Sequence, residues 1–196
     1  MNDNQIGLQE LNRMDAEALA EVFDRYAPAI YKYTYRHTGS ALLADQTVGE
    51  VFARLLEQCS LGRGPGSNLR AYLFEIAYHC VVDEIRYSQR LQSLQTADSA
   101  PPAPRREADR ALEQQVLLEV VRRAMRADLS DDQRHVLILR FLEGFSLRET
   151  ACIMGKTVGH VKVLQWRALA ALRRALDRQE LAGSLFERAA ASHQVF

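Results

Sequence analysis

Apolar residues recur at three- and four-residue intervals through most of the chain, the spacing of one helical face, and nowhere alternate with the period of two that a half-buried strand needs. In the first half this pattern predicts three long helices, over 16–38, 41–58 and 69–90, with Asp15, Ser40 and Asn68 at their N-cap positions. Further on it predicts four more, near 110–127, 131–143, 147–154 and 158–177. Two of these starts carry a reciprocal cap: Ser130 with Gln133, and Ser146 with Glu149, are spaced so that each side chain satisfies the other residue's orphan backbone donor. The tail, 179–196, is alanine-rich with weak periodicity, and reads as a short extra helix or a frayed end.

Between the two sets of helices lies QTADSAPPAP (95–104), with three prolines and no hydrophobic periodicity, followed by the charged Arg105, Arg106 and Glu107. The expected organisation is therefore all-α: a first helical domain over 1–93, a flexible linker over 94–109, a second helical domain over 110–178 and a tail over 179–196. Domains of this size bury a smaller fraction of their surface than larger ones do and are marginally stable, so each half must build its own core to stand alone.

Composition narrows the function classes. No apolar run approaches the roughly 18 residues of a membrane span, and residues 1–10 are polar and acidic, unlike a signal peptide. A cytoplasmic protein, monomeric when free, is expected. Cys59, Cys80 and Cys152 are odd in number and lack the paired spacing of a zinc or redox motif, so buried free thiols are expected. Five histidines and 25 carboxylates fall into no metal-spaced cluster, nucleophile elbow or phosphate loop, which argues against an enzyme and against any cofactor.

Formal charge is zero over the whole chain, but the segment 156–178 holds six basic residues against one acid. The same segment follows a short predicted helix, 147–154, and the turn Gly155-Lys156-Thr157, with glycine at the turn and threonine as the next N-cap. That is the layout of a helix-turn-helix, whose second helix is the reader. Centring the buried face on Val161 brings Leu164, Gln165, Ala168, Leu172 and Leu176 near it. Lys162, Val163, Trp166, Arg167, Arg173 and Arg174 then face outward, with Lys156, Thr157 and His160 at the N-terminal end. An apolar stripe backed by a basic one lets a helix pack on its own domain while its outer face approaches phosphates and bases. The plain alternative is a helical hairpin with a solvated basic face, and Trp166 suits either DNA or packing on a neighbouring helix.

Both halves together resemble the extracytoplasmic-function sigma factors, over about 18–176. LSDDQRHVLILRFLEGFS (129–146) resembles the family's LPxxQRxVLxLRxLEGxS opening of region 4, and 149–168 its helix-turn-helix. LAEVFDRYAPAIYKYTYRHTG (19–39) resembles the first helix of region 2. LRAYLFEIA (69–77), followed by Asp83 and Arg86, resembles the promoter-melting segment FRAWLxxIAxNxxxDxxR. The resemblance implies a factor that brings core RNA polymerase to promoter DNA, reads the minus-thirty-five element as duplex and holds the displaced strand of the minus-ten element. Strand capture needs aromatic platforms, a cationic track and a pocket for an unstacked base. Arg70, Tyr72, Tyr78, Arg86, Tyr87 and Arg90 supply residues of the first two types, and the loop 60–68, with Arg63 and Asn68, stands where the family forms the pocket. Tyr72 and Tyr78 also suit a core, and the loop a simple connector.

Three departures matter. The family's polymerase-binding helix reads AEDLVQEVF, whereas 44–52 is ADQTVGEVF: Gln46 and Gly49 replace an aspartate and a glutamine, weakening an acidic surface of which Asp45 and Glu50 remain beside Phe52. His79 stands where the family has asparagine, and Leu164 where many members have arginine. Some branches with a depleted acidic patch are controlled by a serine/threonine kinase, and Thr47 lies in the depleted segment, where a phosphate would restore about −1.5 to −2 of charge; Thr38 is a weaker candidate, and the plainer alternative is that Thr47 is an ordinary helix residue and the interface tolerates the change. An anti-sigma factor is the other expected controller. The competing reading of the whole chain is a helix-turn-helix regulator that acts without polymerase, which leaves the first domain without a role.

Overall fold

The computed structural model describes residues 11, 13, 15–94 and 123–192, with backbone only at 92–94 and 179–192. Among the described residues there is no strand, in agreement with the all-α expectation. The helices are α1 (Ala16–Thr38), α2 (Ala41–Ser60), α3 (Leu69–Leu94), α4 (Asp131–Leu137), a π-helical turn (Ile138–Leu142), α5 (Leu147–Ile153) and α6 (Val158–Ser192). Residues 123–127 are also helical. The proline-rich stretch and most of the helix expected at 110–127 lie outside the described residues.

Local chemistry explains the helix ends. Asp15 Oδ1 accepts from the amides of Glu17 at 3.1 Å and Ala18 at 3.0 Å, and Ser40 Oγ accepts from Leu43 N at 3.3 Å. Asn68 Oδ1 accepts from Ala71 N at 3.0 Å at the start of α3. Both reciprocal caps form: Ser130 N donates to Gln133 Oε1 at 3.0 Å, and Ser146 N to Glu149 Oε2 at 2.8 Å, each answered by the serine hydroxyl. Helix α1 stops at Gly39, whose φ of 71° is a left-handed conformation that costs glycine little, and whose amide donates to Tyr35 O at 2.8 Å.

The structure departs from the expected single helix over 131–143. After Leu137 the ladder widens: Glu143 N donates to Ile138 O, five residues back, at 2.9 Å, and Phe145 N to Leu139 O at 2.9 Å across Gly144, whose φ is 72°. The widened turn directs Ile138 and Leu139 inward and leaves Phe141 and Leu142 exposed. The tail also differs from the two expectations for it, since α6 continues as helix through Ser192.

The chain gathers into two compact units, Met1–Pro104 with Ile138–Val158, and Arg105–Leu137 with Gly159–Phe196. One boundary, between Pro104 and Arg105, falls within the expected linker 94–109, and 138–158 groups with α1–α3. In that unit the buried stripes are Val22, Tyr26, Ile30 and Tyr33 on α1, Ala44, Val51 and Leu55 on α2, and Leu73, Phe74, Ala77 and Val81 on α3. In the other unit Leu129, Leu137 and Ala168 form a small core edged by Met125, Ala171 and Leu172. There Arg134 donates to the carbonyls of Met125 at 3.1 Å and Leu129 at 3.5 Å, and Arg178 pairs with Asp128.

Gly49 sits mid-helix and exposed in α2, and a Cβ there would meet no atom within 4 Å. Gly49→Ala is therefore expected to stabilise the protein by about 1 kcal/mol through helix propensity and the unfolded chain's entropy. A lower denaturant midpoint for the variant would refute this.

Candidate nucleic-acid interface

Two surfaces hold most of the residues singled out in the sequence. The first is the outer face of α6. Val161, Leu164, Ala168 and Ala175 are buried along one side, while Lys162, Val163, Trp166, Arg167, Arg173 and Arg174 are all exposed on the other, with His160 exposed near the start. Trp166, ambiguous in sequence, is 71% exposed. Its indole thus stands in solvent between cationic side chains at helical spacing, a face able to track phosphates and lay apolar surface against base edges. Before α6, Gly155 takes a φ of 60° and its amide donates to Cys152 O at 3.0 Å, the left-handed turn expected of the glycine. Lys156 is half-buried and Thr157 exposed.

The second surface lies along α3 and the loop before it. Arg86 and Arg90 are exposed, as are His79, Tyr87 and, in the loop, Arg63. Arg86 lies 3.8 Å from Asp83, an exposed pair of small energetic weight. Tyr72 is half-buried, and burial pushes its hydroxyl pKa up, with Cys59 and Glu75 adding to the shift. Tyr78, at 6% exposure, belongs to the core, its ring 5.3 Å from that of His79; here the bland reading of the sequence describes the residue better than a base platform does.

Asn68 and Arg70 are already engaged. Asn68 Nδ2 donates to Glu149 Oε1 at 2.8 Å. Arg70 donates to the carbonyl of Glu143, lies 3.7 Å from its carboxylate, and sets its guanidinium 4.2 Å from the Phe145 ring centre. Arg36 Nη1 meets Glu143 Oε1 at 2.8 Å from α1. The Glu143 side chain is 8% exposed; burial pushes its carboxyl pKa up, against the opposing pull of Arg36, Arg70 and Lys32. Glu149 is shifted the other way, held below the usual carboxylate range first by its bonds to Ser146 and then by Asn68. Phe145 completes the cluster by packing edge-on against Phe74 at 4.9 Å.

Of this cluster only Asn68 and Arg70 were sequence-derived candidates; Arg36, Glu143, Phe145 and Glu149 were not. Arg36 and Glu143 are 107 residues apart, so no local period couples them. The only signal was the acid placed directly before a glycine stop.

On α2, Asp45, Gln46, Gly49 and Glu50 are exposed, Glu50 is bonded to Arg54 at 2.6 Å, and Phe52 is buried beneath Phe23 at 4.8 Å between ring centres. Thr47 is 8% exposed and lines a cavity of about 210 Å³ with Thr34, Cys80 and Glu84. The cysteines correct one expectation: Cys59 is buried and Cys80 half-buried, but Cys152 is exposed on the outer side of α5. No described helix is long and apolar enough to cross a membrane.

Comparison with known proteins gives the family. The sigma-70 region 2 family model matches residues 22–91 and the sigma-70 region 4 model residues 127–174. The ECF RNA polymerase sigma factor SigD of Mycobacterium tuberculosis is 33% identical over 171 residues, covering 81% of this chain and 77% of SigD. BldN of Streptomyces coelicolor, also an ECF RNA polymerase sigma factor, is 32% identical over 167 residues, covering 83% of this chain; the match spans 61% of the length of BldN. Among solved structures, the sigma factor RpoE of Bartonella quintana, in complex with the anti-sigma factor NepR, has a TM-score of 0.62 at 23% identity, covering 81% of this chain and 96% of that one. CnrH, in complex with the cytosolic domain of CnrY, has a TM-score of 0.66 at 20% identity, covering 90% and 99%. Those two likenesses concern the fold. With both family models in the expected order and a third of the residues shared across most of SigD, the chain belongs to the ECF RNA polymerase sigma factors.

Proposed function

We propose that this chain directs core RNA polymerase to promoters, its 110–178 half reading the minus-thirty-five element as duplex and its 1–93 half holding the displaced strand of the minus-ten element. The observation that carries the reading is the face of α6, where cationic and aromatic side chains stand exposed opposite an apolar stripe that includes the buried Val161, Leu164 and Ala168. Lys162, Arg167, Arg173 and Arg174 meet phosphates, and Val163, Trp166 and His160 approach base edges. Arg63, Tyr72, His79, Arg86 and Arg90 serve the single strand, with Asn68 and Arg70 when these are free. The exposed stripe Asp45, Gln46, Gly49 and Glu50 on α2 meets the polymerase. It is less acidic than the family pattern, so the exposed Phe23, which covers the buried Phe52, carries more of that contact. Recognition and strand capture need no catalytic group in this chain.

Control by an antagonist protein fits better than control by a kinase. Thr47 is 8% exposed, so a kinase would have to open α2 to reach it, and a charge there would be buried beside Glu50 and Glu84. Thr38 is half-buried, its hydroxyl donating to Thr34 O at 3.0 Å.

Run-off transcription from a panel of promoter fragments, with purified core polymerase, tests the reading. Transcripts that appear only when the wild-type protein is added are expected, with fewer from Thr47→Asp. Silence despite duplex binding would favour the polymerase-independent regulator, and transcripts from Thr47→Asp alone would restore the kinase switch.

A further inference from the structure

We propose that this chain reads the promoter duplex through thymine methyl groups, by an apolar ridge of Gly159, Val163 and Trp166 along the crest of α6. This rests on the duplex reading above and names the base chemistry that the face selects.

Positions 159, 163 and 166 follow one another at spacings of four and three, so they share a face of the helix. All three are exposed, and their face is opposite the buried Val161, Leu164 and Ala168. Winding at 100° per residue puts the exposed Lys162 and Arg173 along one flank of the ridge and the exposed Arg167 and Arg174 along the other. A helix in the major groove has a phosphate rail on each side and base edges ahead of its crest. The cationic flanks match the rails, and the crest meets the bases.

This crest offers little to a hydrogen-bonded code. Glycine and valine side chains make no hydrogen bond, and tryptophan donates one from its indole nitrogen and accepts none. Bidentate recognition of guanine by arginine, or of adenine by asparagine or glutamine, is closed to these three positions. Leu164, at the place where many family members carry arginine, is buried and adds no donor. What the major groove offers to an apolar side chain is the C5-methyl of thymine, which a valine or an indole can cover. Gly159 supports a close approach. A Cβ there would meet no atom within 4 Å, so the fold leaves room for a side chain, and the bare backbone lets the crest settle nearer the groove floor.

The test uses the full chain bound to core polymerase and the promoter fragment that gives most transcript in the run-off panel. Thymines of its upstream element are replaced singly by uracil, which removes the methyl and leaves every hydrogen-bonding group in place. Affinity is read by fluorescence anisotropy across a salt series for wild type, Val163→Ser and Trp166→Ala. Wild type is expected to lose about threefold to fivefold in affinity at one or more thymines, the weight of one methyl left uncovered. The loss should be the same at every salt concentration, because a methyl contact releases no counterion. In the variant that lacks the covering side chain, thymine and uracil should bind alike at that position. Val163 is 45% exposed and Trp166 more so, so each variant keeps its fold, which circular dichroism verifies. Equal affinity for thymine and uracil throughout, or an element without thymine, would overturn methyl reading and leave duplex binding standing. A uracil penalty identical in wild type and both variants would trace to the duplex itself and overturn the assignment to the ridge. Silence of every fragment in the run-off panel would overturn the duplex reading and the methyl reading with it.

Discussion

Phe145→Ala is expected to destabilise the unit containing α1–α3 by about 3–5 kcal/mol, the cost of emptying a closed aromatic site that cannot collapse. The ring is buried, lies edge-on to Phe74 and is capped by the guanidinium of Arg70, so the truncation removes apolar burial, an aromatic pair and a cation–π contact together. Against a typical total of roughly 5–15 kcal/mol, such a loss takes a large share of the unit's stability. Phe145→Leu, which refills most of the volume, should cost about 1–2 kcal/mol. Urea denaturation followed by far-ultraviolet circular dichroism reads both. A cost below about 1 kcal/mol for the alanine form would mean that 138–158 does not pack on α1–α3 in solution.

The second large effect falls on DNA. Replacing Lys162, Arg167 and Arg173 together by alanine removes three exposed cations from one face of α6 without touching the buried stripe. Binding of the polymerase-bound protein to a promoter duplex should weaken about a hundredfold near physiological salt. The plot of log affinity against log salt should become shallower by about 3, close to 0.9 for each phosphate that is no longer neutralised. Thermal stability should stay near that of wild type, since exposed charges of this kind contribute little to it. An unchanged salt slope would remove α6 as the duplex-facing element.

The parts of this molecule that sequence reveals are those whose cause lies within one turn of helix. Asp15, Ser40 and Asn68 cap because a short polar side chain reaches an amide two or three residues on, and both reciprocal caps can be read from a four-residue spacing. The two faces of α6 follow from a period of 3.6 residues: on the face that the period selects, Val161, Leu164 and Ala168 are buried and Gln165, Leu172 and Leu176 half-buried. The Arg36–Glu143–Arg70 cluster has no such local cause. Its members come from separate segments, and each alone looks like a solvated surface charge. Tyr72 and Tyr78 show the same limit on a smaller scale. Both suit a platform or a core, and the packing around α3, rather than any feature of the residues themselves, leaves one half-exposed and buries the other. Cys152 was expected inside because free thiols usually are, yet α5 is short and the residue lies on its outer side.

The π-helical turn at Ile138–Leu142 changes how the neighbouring sequence should be projected. A helical wheel drawn at 100° per residue from Asp131 assigns each position an angle, and the wheel holds only while every amide reaches back four residues. Between Ile138 and Glu143 the reach is five, so the chain spends one residue more on a turn than the drawing allows. Through 138–142 the wheel is therefore out of phase by about one residue's rotation, and at Gly144 the helix ends. Two relatives that differ by a single insertion or deletion inside 138–142 would then keep the same apparent amphipathic pattern while presenting different side chains to α1 and α3. Alignments across this stretch should therefore be anchored on Gly144 and the Ser146 cap, whose backbone roles admit no shift, and not on the apolar run that precedes them.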